Sequence, residues 1–178
     1  KSPLQIAKLR LPWLLITLLI ELFAVFVVSS HNEILEKVIL LAAFMPIISA
    51  MSGNTGLQSA SIVVRGLDTG LINLKRWWEP LSRQVRTTLI IGVAVGVAVG
   101  VIGYLISDTD KLRFALSVAV SMFISINIAG IIGTLSPMIS KRLGFDPAIT
   151  SGPFETAFQD VIGITVFLTV STYMLSHV

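Results

Sequence analysis

Cysteine is absent from the chain, which excludes a disulfide framework, thiolate catalysis and any iron–sulfur or cysteine-based zinc site. Histidine is nearly as scarce: His31 and His177 lie at the ends of apolar segments, without the spacing of a metal-binding pair. Charge is thin as well, at 13% of 178 residues, where soluble domains carry about 25%. A water-soluble enzyme is thereby excluded. Linkers, low-complexity tracts and internal repeats are also missing, so one domain is expected and an inverted-repeat transporter is disfavoured. What remains is a chain that is 54% apolar with a mean hydropathy of +0.88, the composition of a polytopic membrane protein. Its net charge of +3 does not point to nucleic acid, because the basic residues cluster at the ends of apolar runs.

Five segments suffice to cross a hydrocarbon core of about 30 Å. An all-α bundle is expected, with spans at about 12–29, 36–65, 84–107, 113–140 and 147–176. The first span is long and lacks a small-residue cleavage site after it, so it is expected to stay in the membrane. Lys and Arg divide ten against three between the two sides, which predicts a cytoplasmic N-terminus and an outside C-terminus. Trp77 and Trp78, beside Lys75 and Arg76, read as an interfacial anchor at headgroup depth. In the third span Gly92, Gly96 and Gly100 recur every four residues, the pattern of a close helix contact.

Acids inside a membrane are expensive, at about 2.5 to 3.5 kcal/mol each on the translocon scale, and therefore mark candidate sites. Glu21, Glu155 and Asp160 are the three, and Asp146 opens the fifth span. Read as one regular helix, the fourteen residues from Asp146 to Asp160 put both carboxylates on one face about 21 Å apart. Lys, Arg and His are absent at the depth of Asp160, so a salt bridge is unavailable and a water-filled cation path is the favoured reading. Glu155 falls about 140° away on a regular helix and reads as a secondary candidate, although Pro153 makes that angle uncertain. Glu21 is a further secondary candidate, read as a neutral carboxyl bonded to another helix.

The second span carries a polar stripe that includes Ser49, Ser52, Gly53, Asn54, Thr55, Gln58 and Ser59. Asn54 and Gln58 share a face by their i, i+4 spacing. Such small and amide residues can join helices, but beside a buried carboxylate they read as a pore wall. Hard cations prefer oxygen ligands, and Mg²⁺ gives up its waters reluctantly, so this wall would hold a hydrated ion.

The run Pro46-Ile-Ile-Ser-Ala-Met-Ser-Gly-Asn-Thr-Gly-Leu-Gln-Ser59, followed by Arg65, resembles the second-span motif of the MgtE magnesium channels. Arg142-Leu-Gly-Phe-Asp-Pro-Ala148, Ser151-Gly-Pro153 and Asp160-Val-Ile-Gly163 resemble that family's fourth loop and fifth span. The resemblance implies one transmembrane domain over residues 1–178, in a homodimer whose second and fifth helices from both protomers line one pore. Asp160 would hold Mg²⁺, Asp146 would stand at the cytoplasmic mouth, and Gly53, Asn54, Gln58, Ser151, Gly152 and Gly163 would line the path. Ser52 departs from the usual Gly-Gly-Asn, His31-Asn32 stands where Phe-Glu is common, and Glu21 and Glu155 lie outside the family pattern. No counterpart of the family's cytosolic acidic domain or CBS modules occurs in these residues.

The implied activity is a channel in the plasma or inner membrane passing hydrated Mg²⁺ down its gradient, with Mg²⁺ also a candidate regulatory ion. Na⁺-coupled Mg²⁺ exchange, or another divalent-cation secondary transport, is the alternative that the family's eukaryotic relatives suggest. Coupling is energetically unnecessary: a divalent ion gains about 4.6 kcal/mol per 100 mV, enough to hold a roughly 2,000-fold gradient. An intramembrane enzyme is not expected, since neither a Ser–His pair nor an interfacial acid cluster is present.

Overall fold

The structure is a computed structural model that describes residues 2–108, 110–150 and 152–175, the side chains at 9, 10, 13, 149, 150, 153 and 154 excepted. Helix α1 (Pro3–Ser30) starts well before the expected span. A capping box explains this: Gln5 N–H donates to the Ser2 hydroxyl at 3.4 Å, and Ser2 N–H donates to Gln5 Oε1 at 3.1 Å. Pro3 occupies the first turn, where its missing N–H costs nothing, and Pro12 becomes an interior residue. At the other end a ring nitrogen of His31 lies 2.8 Å from the Val27 carbonyl. His31 thus helps to close the C-terminus of α1.

After α2 (Asn32–Lys37) come α3 (Leu40–Asp68), a 3₁₀ turn (Leu74–Arg76), α4 (Trp78–Ile106), α5 (Lys111–Arg142), α6 (Pro147–Thr150) and α7 (Pro153–Leu175). Helices α3, α4, α5 and α7 are long and apolar enough to cross a membrane, and α1 contributes a shorter apolar stretch, Leu14–Ser30. No strand occurs among the described residues. The chain is an all-α polytopic membrane protein.

The last span departs from expectation. It is not one helix over 147–176: the chain leaves helical geometry at Gly152, between α6 and α7. Pro153 removes an N–H and disfavours the α conformation of the residue before it, so the break falls where the sequence puts Gly-Pro. The fourteen-residue spacing therefore no longer places Asp146 and Asp160 on one helical face at about 21 Å.

Helix α5 is the hub, packing against α3, α4 and α7. Its Phe114, Val118, Met122 and Ile126 are buried in the main apolar cluster with Leu41 and Ile48 of α3 and Phe167 and Leu168 of α7. Phe44 meets Phe114 edge to face, with ring centroids 5.4 Å apart. The α4 glycine stripe serves this packing. A Cβ on Gly96 would stand 2.9 Å from the Ala119 carbonyl oxygen, and one on Gly100 would stand 2.9 Å from Ala119 Cβ. With no solvent-driven attraction between helices in lipid, such backbone proximity is what holds α4 to α5. Phe23 and Phe26 of α1 and Ile90 of α4 remain exposed, the surface that lipid tails would cover.

Candidate functional site

Asp160 lies near the start of α7, about 10 Å along the helix from Pro153. Three helices meet at its half-buried carboxyl. From α3, the Ser49 hydroxyl donates to Asp160 Oδ1 at 2.6 Å. One turn further along α3, buried Gly53 packs against α7 beside the same carboxyl: an added Cβ would be in van der Waals contact, 3.5 Å from the same oxygen. From α1, the Glu21 carboxyl lies against that of Asp160. Two acids of one protomer therefore share a position inside the bundle, and no group of three or more metal-ligating His, Asp or Glu side chains occurs among the described residues.

The polar stripe of α3 divides into two faces. Buried Ser52, Thr55 and Ser59 turn their hydroxyls back onto their own helix, donating to Ile48, Met51 and Thr55 carbonyls at 2.8, 2.8 and 2.7 Å. Ser59 also accepts from Gln84 Nε2 at 2.7 Å. These groups are satisfied within the protomer and join helices. Asn54 and Gln58 do neither. Both are exposed on a face of α3 that nothing among the described residues covers. Two primary amides facing lipid tails would leave four N–H donors unsatisfied, so this face requires water, an ion path or a second copy of the chain.

Glu155 has a different setting. It is 1% exposed, and Gln159, one turn on, is fully buried. Gln159 Nε2 donates to Glu155 Oε1 at 2.9 Å and lies 3.5 Å from the Ala129 carbonyl of α5. Ser136 of α5 is a further side-chain partner of Glu155. Gly56 of α3 makes room for the pair, since a Cβ there would sit 2.9 Å from Gln159 Cγ. This cluster fills the α3–α5–α7 junction, about 140° around α7 from Asp160.

The remaining candidates are scattered along the last two helices. Asp146 is exposed and accepts from Ala148 N–H at 2.9 Å, which caps α6. Gly152 forms the break, and its carbonyl accepts from Thr156 N–H at 3.3 Å. Gly163 is buried against Ser52, whose Oγ would come within 2.6 Å of an added Cβ. Ser151 lies outside the described residues. Two contacts were not visible in the chain order: Ser49 and Glu21 both meet Asp160, where the sequence offered only Ser49's place in the α3 stripe and the expectation that Glu21 bonds to another helix, without naming the partner.

Residues 45–170 match the family model described as MgtE, divalent cation transporter. These residues hold α7 through Asp160 and nearly all of α3, two of the three helices that build the site; α1, with Glu21, lies before the match. The chain is 36% identical over 163 residues, 92% of its length, to the magnesium transporter MgtE of Bacillus subtilis. It is 28% identical over 177 residues, 99% of its length, to the proteins of that name from Enterococcus faecalis and Thermus thermophilus. The chain spans 36% of the first relative and 39% of each of the other two. With a family match that runs from the start of the α3 polar stripe to beyond the Asp160 carboxyl, the chain belongs to the MgtE family of divalent cation transporters.

Proposed function

We propose that this chain is a single transmembrane domain that conducts hydrated Mg²⁺ through a pore on a two-fold axis between two protomers. The open Asn54–Gln58 face of α3, beside a carboxyl that α1, α3 and α7 hold inside the bundle, is the observation that carries the reading. One protomer presents that face unfinished. A second copy related by two-fold symmetry would close it and double the acids along the path. The relatives' names support Mg²⁺ as the cargo.

The site gathers too few ligands to strip an ion of its water. Carboxyl, amide and hydroxyl oxygens would instead accept or donate hydrogen bonds to an intact shell, which suits Mg²⁺, reluctant to dehydrate and octahedral. Calcium takes 6 to 8 ligands at 2.3 to 2.6 Å in variable geometry and fits such recognition poorly. The Lys and Arg distribution supports a cytoplasmic N-terminus in the plasma or inner membrane.

The test is flux into liposomes loaded with a Mg²⁺ dye. Uptake driven by the Mg²⁺ gradient alone is expected, with Co²⁺ or Ni²⁺ competing better than equimolar Ca²⁺. An absolute requirement for Na⁺ on the opposite side would replace the channel with an exchanger. Ca²⁺ competing as well as Co²⁺ would remove recognition of the hydrated ion.

A further inference from the structure

We propose that the cavity between the end of α3, the turn after it and the start of α4 binds the phosphodiester headgroup of an anionic membrane lipid. The cavity encloses about 800 Å³, and Arg65 and Arg83 are among its lining residues. Among the described residues neither guanidinium is in an ion pair, and Glu79, the acid on the same wall, is 3.5 Å from Arg76. Two cationic forks therefore face one cavity with no carboxylate of their own. Guanidinium is the group that matches phosphate in both charge and planar geometry.

The shape of the cavity argues for an amphiphile over a free anion. On α4 the lining begins at Glu79 and Pro80, directly after Trp77 and Trp78, which are 44% and 58% exposed and of the residue type enriched at headgroup depth. The other end reaches Thr134, eight residues inside the end of α5 at Arg142, or about 12 Å toward the bundle interior. Ile62 of α3 and Ile72 of the turn also line the cavity. A lipid would set its phosphate against the arginines and its glycerol and upper acyl carbons along the isoleucines, whereas inorganic phosphate would use the charged end alone. Asp160, Asn54 and Gln58 do not line this cavity, although Ile62 and Arg65 follow Gln58 on the same side of α3 at i+4 and i+7.

The test is native mass spectrometry of the purified 178-residue chain in detergent, with dioleoyl-phosphatidylglycerol and dioleoyl-phosphatidylcholine added at equal concentration. Retention of phosphatidylglycerol is expected to exceed that of phosphatidylcholine at least fivefold. The double substitution Arg65→Gln and Arg83→Gln should bring the ratio close to one, while Arg113→Gln, at the start of α5, should leave it unchanged. Arg83→Gln alone serves if the double variant does not purify, since an exposed side chain contributes little to packing, and it should at least halve the ratio. A parallel thermal-shift series is expected to show stabilisation by phosphatidylglycerol that the arginine variants lack. Equal retention of both lipids, or an undiminished preference in the variants, would overturn the proposal. Equal stabilisation by inorganic phosphate would overturn it too, by showing that the charged end suffices.

Discussion

Replacing Asp160 by alanine is expected to lower Mg²⁺ flux into liposomes by more than tenfold, with the protein still folded and of unchanged oligomeric mass. Two unit charges 4 Å apart interact by about 4 kcal/mol at an effective dielectric of 20, and the cargo carries two charges. Even with a water layer between ion and carboxylate, a loss beyond about 1.4 kcal/mol, which is tenfold, is a modest demand. Asp160→Asn should be nearly as severe. It retains an acceptor for the Ser49 hydroxyl, 2.6 Å away, and removes only the charge, so it separates electrostatics from packing. Glu21→Gln should act more gently, raising the half-saturating Mg²⁺ several-fold without abolishing flux, because Glu21 reaches the path through its contact with Asp160. Wild-type flux in both Asp160 variants would place the path elsewhere in the molecule.

The second large effect is on stability and concerns Glu155. Truncation to alanine is expected to destabilise the bundle by about 2–4 kcal/mol, through a cavity in a close-packed junction and a buried amide left without its acceptor. Thermal midpoints in detergent should fall by about 5–10 °C. Gln159 Nε2 would lose its 2.9 Å partner, and Gln159 Oε1 already lacks one among the described residues. Glu155→Gln, which preserves shape and an acceptor oxygen, should recover most of the loss. Flux per folded molecule should change little in either variant, since the side chain faces α5 and not Asp160. An alanine variant with normal thermal stability and abolished flux would make Glu155 part of the ion path.

Much of this protein was legible in composition and order. Long apolar segments bounded by basic residues can only be membrane helices, because a backbone without water must satisfy its own hydrogen bonds. The α4 glycines announced a helix contact, since small residues matter in lipid mainly where two backbones approach. Acids in apolar helices likewise stood out as candidates without any coordinates.

Which acids belong together was not legible. Glu21 and Asp160 are 139 positions apart in the chain and meet because α1 packs beside α7. Glu155 and Asp160 are five residues apart and part company because α7 is regular after Pro153, turning one toward α5 and the other toward α3. The α3 stripe was one list of polar residues until packing buried Ser52, Thr55 and Ser59 and left Asn54 and Gln58 open. Sequence determines helices and their chemistry, because hydropathy, capping and proline effects are local. The site was decided by the tertiary structure, because the rotation of each helix depends on the shapes of its neighbours, and that rotation settles whether a polar group is glued, buried or presented to an ion.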